Sequence, residues 1–170
     1  QRDAEAEEPE EKDLYRVGTV VTIKQLMRLP QNIIRVLVEG TARAELLEMD
    51  GEQGYLQAKV AVLDEQMENA IEPHQEEGML RALKEIYGQY ALANPKVSKE
   101  LTAQLMDTGK LSRLVDDIAI NLPLYYEEKQ KILEAVHLPE RYELLCVILG
   151  NEVEIMKIKT ELQEKIRERI

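Results

Sequence analysis

Two patterns of hydrophobic and polar positions divide the chain. From Leu14 to about residue 66, short runs rich in Val, Ile, Thr and Leu alternate with polar residues, which is the period-2 pattern of β-strands. Beyond that point apolar residues recur at spacings of three and four, the period of amphipathic helices. The pattern predicts an α+β protein, with a small antiparallel β domain at residues 14–66 and an α-helical bundle after it.

Four strands are predicted in the β domain, at residues 17–29, 33–39, 42–50 and 55–62. Turn signals separate them: Pro30-Gln31-Asn32 after the first strand, Gly40 after the second and Asp50-Gly51 after the third. Short connections of this kind join neighbouring antiparallel strands, so we expect a meander. Four strands leave two open edges and bury one face poorly. We therefore expect an incomplete sheet whose missing strands lie before Gln1.

Four helical stripes follow, at residues 79–90, 101–106, 111–119 and 126–136. Ser98 stands at the expected N-cap of the second helix, where its hydroxyl can accept a hydrogen bond from a free backbone N–H of the first turn. Asn94-Pro95, Gly109 and Leu122-Pro123-Leu124 separate the stripes as helix breakers. The short helices are predicted to form a bundle over residues 67–137.

The last stripe, residues 138–170, contains one glycine, Gly150, and has Pro139 in its first turn, where proline is tolerated. It predicts a helix about 50 Å long. Lys157 and Glu161, four residues apart, can pair along its surface. Because the apolar stripe is thinner in the second half, that half should project beyond the bundle and present an apolar surface to a partner.

Charge narrows the classes of partner. The 170 residues include 33 acidic and 22 basic ones, a net charge of −11, and residues 1–13 alone contain seven acidic and two basic side chains. This first segment has almost nothing apolar to bury, so it is predicted to be an acidic flexible segment. The acidic balance argues against nucleic acid as a partner, and no stretch is apolar enough to predict a membrane span.

The sequence contains no recognisable active site. Thr108-Gly109-Lys110 superficially matches a phosphate-binding loop, but no hydroxyl residue follows the lysine, so Gly109 is interpreted as a helix break. His74 has only Glu77 at a helical ligand spacing, which favours a solvated helix start over a metal site. Cys146 lies in an apolar run and is expected to be a buried thiol with a raised pKa. We predict no catalytic, cofactor-binding or metal-binding residue in this chain.

Two blocks of residues carry a family resemblance. The first comprises Val17-Gly18-Thr19-Val20, Ile23-Lys24-Gln25, Leu29-Pro30, Arg35-Val36-Leu37-Val38-Glu39-Gly40 and Arg43-Ala44. The second comprises Leu114-Val115-Asp116-Asp117-Ile118-Ala119, Leu122-Pro123-Leu124, Glu128-Lys129-Gln130, Ile132-Leu133-Glu134 and Arg141. In order and separation the blocks resemble the N-terminal region of the bacterial Lon family of ATP-dependent proteases, and the resemblance extends from Leu14 to Ile170.

The resemblance implies a PUA-like β domain without its opening strands, then the bundle, then a long helix at residues 138–170 that leads toward an absent AAA+ module. It implies that the parent chain is an ATP-dependent serine endopeptidase with a Ser-Lys dyad, and that ATP and Mg²⁺ bind outside this fragment. The parent is expected to be a cytoplasmic homohexamer that degrades misfolded proteins in quality control and stress response. This fragment would then recognise unfolded or degron-bearing proteins.

Exposed, adaptable apolar side chains suit an unfolded client. The candidate client-binding residues are Leu26, Met27 and Leu29 beside the Pro30 turn, and Ile155, Met156 and Leu162 on the projecting helix. The alternative for the first group is packing under the missing strands, and the alternative for the second is the bundle core or a hexamer contact. The alternative function is an oligomerisation or spacer module whose long helix stabilises a hexamer. DNA binding, a property of some family members, is the hypothesis that the acidic charge disfavours most.

Overall fold

The computed structural model describes residues 1–51, 54–63 and 71–170 of the chain. It has two compact units, Gln1–Glu68 and Asn69–Ile170. The strands lie in the first unit and the α-helices in the second, so the predicted α+β class is confirmed. The domain boundary predicted between residues 66 and 67 lies outside the described residues.

The described residues of the first unit form a three-stranded antiparallel sheet with the strand order β1-β2-β3. Its strands are β1 (Val17–Leu29), β2 (Ile33–Asp50) and β3 (Gln57–Leu63), and a 3-10 turn, Glu11–Asp13, precedes them. Ala44 of β2 is buried. The prediction of four strands is wrong, because the predicted second and third strands are one continuous strand that passes through Gly40.

Gly40 lies at a β-bulge and does not end its strand. Val20 pairs with Ala42, whereas the next residue of β1 pairs with Gly40, so Thr41 is an extra residue on β2. The Thr41 hydroxyl donates a 3.0 Å hydrogen bond to the carbonyl oxygen of Val20. A second extra residue, Lys24 on β1, restores the register toward the turn. A bulge bends a strand while the pairing continues on both sides of it, which is why the glycine did not act as a breaker.

The described part of the second unit contains five α-helices. They are α1 (Pro73–Ala93), α2 (Lys99–Met106), α3 (Leu111–Asn121), α4 (Tyr126–Glu134) and α5 (Leu138–Arg169). Aliphatic side chains from these helices form the core, together with Tyr87 and Tyr90 of α1. The predicted cap is confirmed, because the Ser98 hydroxyl accepts a 3.0 Å hydrogen bond from the Leu101 N–H. Gly109 lies between α2 and α3, as predicted.

The two halves of α5 differ in burial. Its buried residues are Leu138, Arg141, Leu145, Leu149 and Val153, at spacings of three and four. Every residue of α5 after Val153 is exposed or half-buried. The prediction that the second half projects beyond the core is therefore confirmed.

Candidate functional site

Three of the candidate residues lie on β1, close to the turn at Pro30. In the described chain, β3 pairs with residues 43–50 of β2, so residues 21–29 of β1 and 33–40 of β2 form a two-stranded stretch, the ribbon. On the ribbon Leu26 is 54% exposed and Met27 is 41% exposed, while Leu29 is half-buried. All three side chains are accessible to a partner.

The pairing register divides these candidates between the two faces of the ribbon. Successive residues of a strand point to opposite faces, and directly opposite residues of an antiparallel pair point to the same face. Met27 and Leu29 therefore share one face, whereas Leu26 lies on the other face, opposite Val36. The structure thus separates Leu26 from the two neighbours with which the sequence grouped it.

The other three candidates lie on the exposed half of α5. Ile155 and Leu162, each 54% exposed, lie on one side of the helix together with Ile158 and Ile166. We call these four residues the α5 stripe. At about 100° per residue, the stripe lies about 120° around the helix from the buried residues of α5. Met156 is half-buried and lies on the buried side of the helix, so the structure separates it from Ile155 and Leu162.

A buried polar network centred on Arg141 was not predicted. The Arg141 residue is 0% exposed, and its Nε atom lies 3.2 Å from Oδ1 of Asp116 on α3. Its Nη1 atom donates to the carbonyl oxygens of Ala135 and Val136, just after α4, at 2.9 and 3.0 Å. One guanidinium therefore links α3, α4 and α5. The signal in the sequence was a charged residue at an apolar position in the three-and-four spacing of α5.

In the second unit, two lysines each cap the C-terminal end of a helix other than their own. Lys84 Nζ donates to the carbonyl oxygen of Met106 at the end of α2, at 2.7 Å, and Lys129 Nζ donates to that of Ile120 near the end of α3, at 3.1 Å. A cation at this position satisfies carbonyl oxygens that lack a helical partner and faces the negative end of the helix dipole. Lys129 and Arg141, both in the second resemblance block, therefore stabilise the bundle.

Cys146 is half-buried against the core of the second unit. Burial raises the pKa of its thiol, as predicted. One turn earlier, burial raises the pKa of Tyr142 to about 12, and the Tyr142 hydroxyl donates a 3.0 Å hydrogen bond to the carbonyl oxygen of Met79. Both side chains are neutral near neutral pH, so neither is an activated nucleophile.

Within residues 1–51, 54–63 and 71–170, no group of three or more His, Cys, Asp or Glu side chains is placed to hold a metal ion. None of the helices formed by these residues combines the length and the hydropathy that crossing a membrane requires. His74 is exposed in the first turn of α1, the solvated helix start that the sequence indicated. The candidate residues thus lie on two exposed apolar features of the described chain, the ribbon and the α5 stripe, apart from the half-buried Leu29 and Met156.

Comparison with known proteins identifies the relatives of this chain. The sequence profile of the family described as the ATP-dependent protease La (LON) substrate-binding domain matches residues 1–151. The chain is 42% identical over 170 residues to the Lon protease of Lachnoclostridium phytofermentans, a match that covers 100% of this chain and 21% of that protein. It is 35% identical to the Lon protease of Bacillus thuringiensis over 98% of this chain and 21% of that protein. The chain therefore spans about a fifth of the length of these relatives.

Two solved structures share the fold. The N-terminal domain of a Lon protease from the Mycobacterium avium complex matches with a TM-score of 0.68 at 20% identity, over 84% of this chain and 74% of that chain. A Lon N-terminal domain protein from Xanthomonas campestris matches with a TM-score of 0.53 at 16% identity, over 82% of this chain and 71% of that chain. The chain is thus an α+β protein with the fold of Lon N-terminal domains. It belongs to the family of Lon substrate-binding domains, so the predicted resemblance is confirmed.

Proposed function

We propose that this chain captures unfolded or degron-bearing polypeptides for ATP-driven degradation by a Lon-type serine protease. The most direct support comes from the exposed ribbon: this member of the Lon substrate-binding family leaves large aliphatic side chains exposed there. An unfolded polypeptide exposes the apolar residues that a folded protein buries. Contact between the two removes apolar surface from water on both sides.

Such a contact is expected to consist of several weak side-chain contacts and to accept clients of different sequence. Full burial of one large aliphatic side chain contributes about 1.5–3 kcal/mol, and a shallow contact contributes a fraction of that amount. Several ribbon side chains must therefore act together to hold a client. The flexible thioether of Met27 can adapt to different client side chains. Weak, adaptable binding of this kind suits a domain that must release each client to the motor.

The chemistry of degradation is proposed to lie outside residues 1–170. The parent protein would be an ATP-dependent endopeptidase with a Ser-Lys dyad and a AAA+ module that binds ATP and Mg²⁺. It would act as a cytoplasmic homohexamer in protein quality control and the stress response. Family membership and the Lon protease relatives, of which this chain covers 21%, support this part of the proposal. The chain itself would contribute binding and no catalytic residue.

A titration followed by NMR tests client capture. The ¹⁵N-labelled chain is mixed with a reduced and alkylated protein that cannot refold, and in parallel with the same protein in its native, disulfide-bonded form. We expect the amide signals of the ribbon, the α5 stripe or both to broaden with the unfolded form alone. A well-dispersed spectrum that stays unchanged at high micromolar client would refute capture, and so would equal broadening by the native form.

Paired substitutions test the candidate residues. Leu26→Ser combined with Met27→Ser should weaken client binding if the ribbon is used, and Ile155→Ser combined with Leu162→Ser should weaken it if the stripe is used. Leu92→Ser is the control, because Leu92 is 92% exposed on α1 and lies outside both surfaces. If neither pair weakens binding more than the control does, these residues do not contact clients.

The α5 stripe also favours a second function, an oligomerisation or spacer module. A row of exposed aliphatic residues on a projecting helix can be buried by the same row of a second copy. Analytical ultracentrifugation of the wild-type chain and of Ile158→Glu combined with Leu162→Glu tests this function. Concentration-dependent association that the double variant abolishes would support it. A monomer in both samples would remove it.

A further inference from the structure

The ribbon has a charge opposite in sign to that of the whole chain. Residues 21–40 include three basic side chains, Lys24, Arg28 and Arg35, and one acidic side chain, Glu39. Their net charge is +2 in a chain whose total is −11. A cationic segment in an acidic protein attracts anionic groups that the rest of the molecule repels.

Arg28 and Arg35 are the ribbon cations that remain available to a partner. Lys24 is already paired, since its Nζ atom lies 3.1 Å from Oε2 of Glu39. Both arginines are exposed, and among the described residues neither has a carboxylate within ion-pair distance. Four other arginines each have a carboxylate partner: Arg16, Arg81, Arg113 and Arg141.

The two arginines lie on opposite faces of the ribbon, each among apolar side chains. Arg28 is directly opposite Ile34, and Arg35 is directly opposite Met27. Because alternate residues share a face, Arg28 also lies on the face of Leu26. Further exposed aliphatic residues are Ile23, Val36 and Val38 on the face of Arg28, and Ile33 and Leu37 on the face of Arg35. Each face combines one guanidinium group with an apolar surface.

The spacing along the strand matches that of an extended polypeptide. Leu26 and Arg28 are two residues apart on one face, which in a strand is a separation of roughly 6.6–6.8 Å. A bound segment in extended conformation repeats its own side chains at the same interval. An aliphatic residue on Leu26 therefore brings a carboxylate two residues away to Arg28. A guanidinium group can donate two parallel hydrogen bonds to that carboxylate in a bidentate pair, which a lysine ammonium cannot form.

We propose that the ribbon selects extended polypeptide segments in which an Asp or Glu lies two residues from an apolar residue, and that Arg28 and Arg35 bind the carboxylates. This inference rests on the proposed capture function and specifies its client class. A polypeptide fits better than a nucleic acid, because two cations set among aliphatic residues do not form the row of cations that a phosphate backbone requires. The remaining residues of the chain are also acidic overall.

Binding of three matched peptides tests the proposal. Each fluorescein-labelled peptide repeats leucine, serine, a variable residue and serine, with Glu, Gln or Lys at the variable position. Fluorescence anisotropy at low salt should show the Glu peptide binding about twofold to fivefold more tightly than the Gln peptide. The Lys peptide should bind more weakly than both. The preference should shrink with added salt, because the arginines are exposed to solvent.

Variants without the two arginine charges test whether Arg28 and Arg35 cause the preference for the Glu peptide. Arg28→Gln combined with Arg35→Gln should abolish the preference for Glu and leave the affinity for the Gln peptide unchanged. Arg81→Gln is the control, because Arg81 is an exposed arginine on α1 whose guanidinium pairs with Glu77. That variant should keep the preference. NMR spectra confirm that each variant is folded.

Each other outcome has a distinct meaning. A preference that survives in the ribbon double variant would overturn the assignment to Arg28 and Arg35. Equal binding of all three peptides would overturn the proposed client class and leave the capture function standing, whereas failure of every peptide to bind would count against capture itself. A single-stranded oligonucleotide and the unlabelled Glu peptide are also compared as competitors of the labelled Glu peptide. If the oligonucleotide competes equally well, the ribbon binds anions in general, and the proposed selectivity for polypeptide is overturned.

Discussion

Arg141 and Asp116 form an ion pair in the helical unit, with the Arg141 Nε atom 3.2 Å from Oδ1 of Asp116. The guanidinium side chain is fully buried, while the Asp116 side chain is 38% exposed. A buried charge depends on its partners, because without them it has neither water nor an opposite charge. The pair therefore couples α3 to α5 at a point where the carbonyl oxygens after α4 also converge.

Asp116→Asn should lower the free energy of unfolding by about 1–3 kcal/mol, because Arg141 then keeps its carbonyl acceptors and loses its ion pair with the Asp116 carboxylate. Urea denaturation followed by circular dichroism measures the loss. Asp117→Asn is the matched control, since Asp117 forms an i,i+4 pair with Arg113 at 3.7 Å on the surface. The control should change stability by less than about 0.5 kcal/mol. Equal losses in the two variants would contradict the role of the buried pair.

Two leucines of α5 should respond differently to the same substitution. Leu149 is buried in the core, whereas Leu162 lies on the exposed stripe. Leu149→Ala should cost about 2–5 kcal/mol because it leaves a cavity, and Leu162→Ala should cost less than about 1 kcal/mol. Guanidinium titrations at low protein concentration measure both values. A large loss for Leu162→Ala under these conditions would show that the second half of α5 is packed against protein.

The turn between β1 and β2 contains backbone strain that a glycine can relieve. Gln31 has a φ of 68° and Asn32 a φ of 58°, a region that asparagine tolerates better than glutamine does. Gln31→Gly should stabilise the first unit by about 0.5–1 kcal/mol. The same replacement inside β1, Gln25→Gly, should destabilise it by a similar amount. Amide hydrogen exchange of β1 residues measures both effects, and slower exchange in Gln25→Gly than in Gln31→Gly would refute the assignment.

Alkaline titration should detect the raised pKa of Tyr142. Burial raises its pKa in the folded chain to about 12 from the ordinary value of 10. The unfolded chain therefore releases this proton first, and the free energy of unfolding falls as the pH rises from 10 to 12. Burial also raises the pKa of Tyr87, so tyrosinate absorbance of the folded chain should show late ionisation whose amplitude Tyr142→Phe reduces and does not abolish. Tyr125→Phe, at an exposed position, is the control and should leave the amplitude of the late ionisation unchanged.

The helical unit was largely predictable from the sequence because its signals are local. The Ser98 cap, the break at Gly109 and the first-turn position of Pro139 depend on contacts within one helical turn. The strands were less predictable. Glycine often ends a strand, so Gly40 was interpreted as a break. Its place inside β2 became clear only from the pairing of β2 with β1.

The sequence predicted which residues are candidates for the binding surfaces, but it did not predict which of them share a face. Leu26 and Met27 are neighbours in sequence, yet the register places them on opposite faces of the ribbon. Met156 follows Ile155 directly, yet it lies on the buried side of α5. In both cases one residue step turns a side chain away from its neighbour, by about 180° in a strand and about 100° in a helix.

By itself the sequence determined the family, the order of strands before helices, and the ends of most helices. These properties depend on motif residues and on interactions between residues a few positions apart. The tertiary structure alone decided that Arg141 is buried beside Asp116 and that Arg28 and Arg35 lie on opposite faces without carboxylate partners among the described residues. Such relationships depend on which distant segments pair and pack, and the free energy that selects the pairing comes from many contacts together.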